Sequence, residues 1–117
     1  MNTKEEADLW IGRIEDLMLK ALKVKKRVDA ALLDFTNTDE IWSILDAGLE
    51  VFDIIAELGN FKSDDYIRFS DNVLNRQLIP QVALRVMETK INGILESYGT
   101  MIHNEGLEKY LTKPTIN

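Results

Sequence analysis

The segment from Asp39 to Leu58 constrains the fold more than any other part of the chain. On a helical wheel at about 100° per residue, most of its acids fall within a strip roughly 80° wide, and apolar residues occupy most of the remaining circumference. A helix with so broad an apolar surface has to be surrounded by other helices. The segment is therefore predicted to be the central helix of a bundle, with one acidic edge exposed. The acids of this edge are Asp39, Asp46, Glu50, Asp53 and Glu57, and the apolar residues include Trp42, Leu45, Leu49, Phe52 and Ile55.

A heptad pattern ahead of this segment predicts a long first helix. Its apolar residues follow one another at alternating spacings of 4 and 3 residues. Thr3 is a suitable N-cap, and the helix is expected to run from about residue 4 to residue 34. At about 1.5 Å per residue it would be roughly 46 Å long. The heptad residues are Trp10, Ile14, Leu17, Ala21, Val24, Val28, Ala31 and Phe35.

Two further helices are predicted after Gly59, which is expected to end helix two as a left-handed residue. Ser63 is expected to open helix three, Pro80 to close it, and helix four to carry Gly99 inside it and end in a cap around Gly106. The short connection before the central helix, with Thr38 as the expected N-cap, makes helices one and two antiparallel. The predicted fold class is all-α, an antiparallel four-helix bundle (about 4–34, 39–58, 64–79 and 81–105) with a short C-terminal turn and tail, forming a single domain over residues 1–117.

The composition limits the class of protein and its chemistry. A hydrophobic content of 45% and a charged content of 29% are typical of a folded soluble domain. The chain has no cysteine, which excludes disulfides and thiolate chemistry. The first ten residues lack the basic and apolar regions of a secretory signal, and there is no apolar run of about 18 residues. We therefore expect a cytoplasmic protein without a membrane segment.

The net charge of −6 is unevenly distributed. Residues 28–65 contain ten acids and one base, Lys62, and so carry −9, whereas the rest of the chain carries +3. Five bases lie between Lys20 and Arg27. If helices one and two pair so that residue numbers sum to about 73, Arg27 lies near Asp46, Lys23 near Glu50 and Lys20 near Asp53. The basic and acidic runs are therefore expected to form a row of salt bridges.

Catalytic and cofactor-binding patterns are missing from the sequence. The chain has a single histidine, His103, its serines lie in no nucleophile-elbow pattern, and its six glycines are scattered singly. A ferritin-like metal site requires Glu-x-x-His pairs, but Thr100 occupies the position three residues before His103. We therefore predict no catalytic residue, no metal ligand and no cofactor, and His103 is expected near a helix C-terminus.

One short carboxylate motif gives an enzymatic alternative. The pair Glu50 and Asp53, flanked by Asp46 and Glu57, resembles half of the magnesium motif of all-α nucleotide pyrophosphohydrolases of the MazG kind. Members of that family hold magnesium with Glu-x-x-Glu on one helix and Glu-x-x-Asp on the next, and no Glu-x-x-Glu precedes Glu50 in this chain. The resemblance covers four residues and implies magnesium-dependent nucleotide hydrolysis.

A second alternative is a DNA-binding regulator that uses Lys20 to Arg27. This cluster has no aromatic residues interleaved with it to stack on bases. The overall acidity of the chain also opposes non-specific binding to nucleic acid, so nucleic acid is not expected as a partner.

The sequence also predicts self-association. Helix one is longer than helix two, so its start needs cover from another helix or another chain, and helix four carries a second apolar patch away from its main stripe. We expect a homodimer, unless the residues after Gly106 fold back over one of these surfaces. The candidate oligomer contacts are Trp10, Ile11, Ile14, Val82 and Val86.

Taken together, the patterns favour a small acidic non-enzymatic helical protein that acts by protein–protein interaction. Its size and acidity resemble those of inhibitors, antagonists or immunity factors of the phage or mobile-element type, a comparison made at the level of fold alone. The candidate partner-binding residues are Asp46, Glu50, Asp53 and Glu57, on one edge of helix two.

Overall fold

The computed structural model of the protein describes residues 3–34, 36–58 and 64–110. These residues form α-helices and one 3₁₀ turn, and none of them is in a strand. α1 packs against α2 and α4, and α2 also contacts α3 and α4, which confirms the predicted all-α helical bundle. The predictions for Phe35, Gly59 and Ser63 lie outside the described residues. The elements are α1 (Lys4–Leu32), α2 (Thr38–Glu57), α3 (Asp64–Leu74), α4 (Pro80–Glu96), α5 (Tyr98–Asn104) and the 3₁₀ turn (Glu108–Tyr110).

α1 begins at the predicted N-cap and buries the predicted heptad face. The Thr3 hydroxyl accepts a hydrogen bond from the Glu6 amide at 3.1 Å. The helix ends two residues before the predicted position. The Asp34 carboxylate instead accepts a hydrogen bond from the Thr36 amide at 3.0 Å and turns the chain toward α2. Hydrogen bonds from the Thr36 hydroxyl and amide hold the pKa of Asp34 below its usual value. The buried residues of α1 are Ala7, Ile14, Leu17, Ala21, Val24 and Val28.

α2 lies between α1, α3 and α4, as its broad apolar surface predicts. Its N-cap is Asn37, one residue before the predicted Thr38. Asn37 has extended backbone angles, and its side-chain oxygen accepts from the Glu40 amide at 3.0 Å, whereas Thr38 is already the first helical residue. The buried residues of α2 are Ile41, Ile44, Leu45, Gly48, Leu49, Val51, Phe52 and Ile55.

α3 ends five residues before the predicted boundary at 79. Arg76 adopts a left-handed backbone conformation with φ 53°, and the Gln77 amide donates to the Asn72 carbonyl at 2.8 Å. Together with the Arg76 amide, which donates to the Val73 carbonyl at 3.1 Å, these bonds form a Schellman motif. Arginine occupies the position that usually belongs to glycine, so this helix end carries no glycine that would predict it.

The fourth predicted helix is divided in two. α4 begins with Pro80 at its first turn and ends at Glu96, because the Ser97 hydroxyl donates to the Ile94 carbonyl at 2.6 Å and the chain restarts as α5 at Tyr98. Gly99 lies inside α5, so the break precedes the glycine. α5 ends in a second Schellman motif, in which Gly106 has φ 65° and the Leu107 amide donates to the Ile102 carbonyl at 3.0 Å. This end matches the predicted cap around Gly106.

The described residues after Ser97 pack against α1. Both α5 and the 3₁₀ turn contact α1, and Met101, Ile102 and Leu107 are buried there. Ala7 and Ile14, on the α1 side, are fully buried. These two residues are therefore covered within one chain, and association with a second copy through the start of α1 stays a prediction.

Candidate partner-binding surface

The predicted acidic residues of α2 form a line on its outer face. We call Asp46, Glu50, Asp53 and Glu57 the acidic strip; all four are exposed. Adjacent members are three or four residues apart, so each lies about one helical turn from the next. Because the opposite face of α2 is buried against three other helices, the backbone under the strip is held in place.

Asp46, at one end of the strip, already has a partner. Arg76 Nη1 lies 3.4 Å from Asp46 Oδ1, and the Arg76 guanidinium lies 4.2 Å from the centre of the Trp42 ring. Arg76 Nη1 also donates to the Val73 carbonyl at 2.9 Å. These contacts join the end of α3 to the outer face of α2, so Asp46 contributes to the fold as well as to the strip.

The predicted row of salt bridges between α1 and α2 is absent from the described residues. Arg27 Nη2 lies 3.3 Å from Glu40 Oε1 and donates to the Ser43 hydroxyl at 3.2 Å, so the Arg27 side chain reaches toward the start of α2 and not to Asp46. Lys20 lies 4.0 Å from Asp16 and Lys25 lies 2.8 Å from Asp29, both within α1. Within the described part of the chain, Glu50, Asp53 and Glu57 form no ion pair.

A groove between α1 and α2 borders the strip. It has a volume of about 330 Å³, an apolar floor that includes Val24, Val51 and Ile54, and charged walls formed by Lys20, Lys23 and Arg27 on one side and Glu50 on the other. Lys23 and Glu50 therefore line one groove, as predicted, without forming an ion pair there. An apolar side chain with an acidic or basic neighbour would match such a groove.

The carboxylates of the described residues do not converge. Among them there is no group of three histidine, aspartate or glutamate side chains placed to hold a metal ion. From Asp46 to Glu57 the strip extends over about 16 Å at 1.5 Å per residue, whereas ligands of one metal ion all lie within about 2.5 Å of it. Glu50 and Asp53, which resemble half of the MazG-type motif, face solvent without a second pair of acids near them.

The only histidine of the chain lies near the end of α5, as predicted, and contacts the 3₁₀ turn. His103 Nδ1 lies 2.6 Å from Glu108 Oε2, and both side chains are exposed. The hydrogen bond with His103 holds the pKa of Glu108 below its usual value. The pair closes the turn at Gly106, and its exposure matches a structural contact rather than an enclosed catalytic site.

The predicted oligomer contacts are spread over several environments. Ile14 is fully buried in the core and has no surface to offer a second chain. Trp10, Ile11 and Val86 are half-buried against the core, and Val82 is 51% exposed. Val82 and Val86 lie on α4, away from Trp10 and Ile11 on α1, and self-association through these residues stays a prediction.

Two features of the surface were not predicted from the sequence. The first is Arg76, whose contact with the strip depends on where α3 ends. The second is a groove of about 430 Å³ between α1 and the α4–α5 junction, lined by Glu15, Met18, Leu19, Leu22, Leu95 and Tyr98. The sequence signal that could have indicated this surface is Leu19 itself, an apolar residue outside the heptad face of α1.

Comparison with known protein families, with curated proteins and with solved structures gave no match. Within the described residues, no helix has both the length and the hydropathy that a membrane crossing requires.

Proposed function

We propose that this protein is a binding protein that docks on a basic surface of another protein through the acidic strip. One observation carries the proposal: Glu50, Asp53 and Glu57 are exposed, lie in line on one helix, and have no ion-pair partner among the described residues. Free carboxylates arranged in this way attract and orient a basic partner, because complementary charges raise the rate of encounter and fix the register of the complex.

The rigidity of α2 supports the same proposal. Most of the helix is buried, and Arg76 holds its outer face beside Trp42 and Asp46. Carboxylates on a helix that is already fixed lose little further freedom on binding, so less of the interaction free energy is spent on ordering them.

The two alternatives have less support in the geometry. Of the five bases between Lys20 and Arg27, Lys20, Lys25 and Arg27 form ion pairs within the chain, which weakens their attraction for nucleic acid. For nucleotide hydrolysis, the strip provides acids in a line, whereas magnesium bound to phosphates is usually held by carboxylates that meet at one point. The narrower interpretations, a cytoplasmic inhibitor, antagonist or immunity factor of the phage type, stay predictions from size and acidity.

The test uses two variants with the same change in net charge. The strip variant replaces Glu50, Asp53 and Glu57 by lysine. The control variant replaces three other acids by lysine: Glu5, Asp71 and Glu96. These three are exposed and form no ion pair in the described part of the chain. Asp46 is left in place so that its contact with Arg76 is kept. The immobilised proteins are used to capture partners from an extract of the source organism, and each captured partner is then purified and titrated by calorimetry.

We expect a partner that binds the wild type and the control variant equally and binds the strip variant about 10- to 100-fold more weakly, because three exposed ion pairs at roughly 0.5–1 kcal/mol each are lost. Circular dichroism should show the same helix content in all three proteins. A partner that binds the strip variant as tightly as the wild type would remove the strip from the mechanism.

A further inference from the structure

A second charged and apolar pattern lies on the outer face of α1. Glu15, Leu19, Leu22 and Lys26 follow one another at spacings of four, three and four residues, and all four are exposed. We call these residues the outer α1 face. Leu19 is 58% exposed and Leu22 is 40% exposed, which is unusual for two leucines a turn apart on a long helix. The spacing is that of a coiled-coil seam, and it is separate from the heptad face that packs into the core.

The outer α1 face borders the groove between α1 and the α4–α5 junction. Met18, Leu95 and Tyr98 line this groove together with Glu15, Leu19 and Leu22, and its volume is about 430 Å³. Burial raises the pKa of the Tyr98 hydroxyl, and the charge of Glu15 raises it further, which is consistent with their position in the same groove. The groove is large enough to accept a leucine side chain from another helix.

The two charged residues at the ends of this face lack partners within the described chain. Glu15 and Lys26 form no ion pair, although Asp16 and Lys25 beside them form pairs with Lys20 and Asp29. A carboxylate and an ammonium therefore lie on either side of two exposed leucines, each four residues from the nearer leucine and seven from the farther one. This arrangement is self-complementary when one copy is turned end to end against another.

We propose that the outer α1 face binds a second copy of this chain, with the two α1 helices antiparallel and residue numbers across the interface summing to 41. In this register Leu19 packs against Leu22 of the second copy, and Glu15 faces Lys26 of the second copy, twice by symmetry. A parallel pair would instead place Glu15 against Glu15 and Lys26 against Lys26. Gly12, next in the series, is surrounded by open space, so the backbones can approach closely there.

This surface differs from the one predicted from the sequence. It lies on a side of α1 remote from Ile14, which is buried, and it does not require Val82 or Val86 of α4. It is also independent of the acidic strip on α2, so its failure would leave the proposed function unchanged.

The first test is sedimentation equilibrium of the purified full chain and two matched variants. L19Q/L22Q removes the apolar part of the face, and I67Q/L74Q removes two leucine-sized residues of similar exposure from α3, where Ile67 is 58% and Leu74 is 63% exposed. We expect a wild-type dimer, an unchanged control, and a dimer dissociation constant at least tenfold higher for L19Q/L22Q. A wild type that stays monomeric up to about 1 mM, or a dimer that L19Q/L22Q leaves intact, would overturn the proposal.

The second test is a charge exchange that fixes the register. E15K and K26E each place like charges opposite one another and should weaken the dimer about tenfold or more, whereas E15K/K26E restores opposite charges and should return the dissociation constant to near that of the wild type. Since all four side chains are exposed, the fold should tolerate these changes. If the two single effects on the dimer dissociation constant simply added in the double variant, with no recovery, the antiparallel register would be contradicted.

Discussion

At the scale of single residues, Arg76 combines an unfavourable backbone with favourable contacts. Its φ of 53° lies in the left-handed region, where a residue with a side chain is about 1 kcal/mol less stable than glycine. The side chain offsets this cost through the contact with Trp42 and the ion pair with Asp46. Exposed cation–π contacts contribute about 0.5–1 kcal/mol and exposed ion pairs about 0–1 kcal/mol, so the two effects are similar in size.

Replacing Arg76 by alanine and by glycine separates the two effects. Arg76→Ala keeps the strained backbone and loses the side-chain contacts with Trp42, Asp46 and the Val73 carbonyl, so we expect the free energy of unfolding to fall by about 1 kcal/mol. Arg76→Gly loses the same contacts and relieves the strain, so we expect it to be close to the wild type. Urea denaturation of the three proteins measures the differences.

The comparison between the two variants is the informative one. If alanine and glycine at position 76 gave equal stability, the left-handed conformation would impose no cost and the turn after α3 would have to relax in the variants. Asp46→Asn is a useful companion, because it removes the ion pair and leaves the Trp42 contact and the backbone unchanged.

At the scale of elements, α4 packs tightly against α2 at Gly48. A methyl group added there would overlap the Sδ and Cε atoms of Met87, whose side chain is fully buried. Glycine inside a helix is otherwise unfavourable by about 1 kcal/mol relative to alanine. The close packing of α2 against α4 is therefore the physical reason for a glycine in the middle of the central helix.

Gly48→Ala is expected to destabilise the protein by about 1 kcal/mol, because overpacking of about 1–3 kcal/mol outweighs the gain in helix propensity. Gly93→Ala, in an exposed part of α4, is the matched control. Its new methyl group would meet only the Tyr66 hydroxyl, at 3.9 Å, so we expect a gain of about 0.5–1 kcal/mol. Thermal and urea unfolding should give shifts of opposite sign for the two variants, and a gain for both would show that Met87 moves aside freely.

The positions of the helices could be predicted from the sequence, whereas their ends could be predicted only in part. The heptad from Trp10 and the broad apolar surface of α2 were sufficient to predict the bundle, and Thr3 and Gly106 cap helices as predicted. Arg76 and Ser97 end helices without glycine, through local hydrogen bonds that helical periodicity does not reveal. Helical spacing also predicted the exposure of the acidic strip, whereas the partner of Asp46 depends on the tertiary position of Arg76.

At the scale of the whole molecule, the charges are arranged so that α1 is largely neutralised within itself and the outer face of α2 is not. Lys20 and Lys25 pair with acids of their own helix, and Arg27 pairs with Glu40 near the start of α2. Within the described residues, no base pairs with Glu50, Asp53 or Glu57. An alternative contact between copies would pair these acids with Lys23 and Lys26, the two bases of the Lys20–Arg27 cluster that form no ion pair in the described residues.

Sedimentation of the strip variant distinguishes this contact from two independent surfaces. Because the acidic strip and the outer α1 face lie on different helices and share no residue, we expect their effects to be additive. Sedimentation equilibrium should give the strip variant E50K/D53K/E57K the same dimer dissociation constant as the wild type. The variant L19Q/L22Q should still capture the partner that the strip binds. If the strip variant were instead monomeric, the acids would belong to the contact between copies, and the dimer would be held by α2 of one chain against the basic residues of the other.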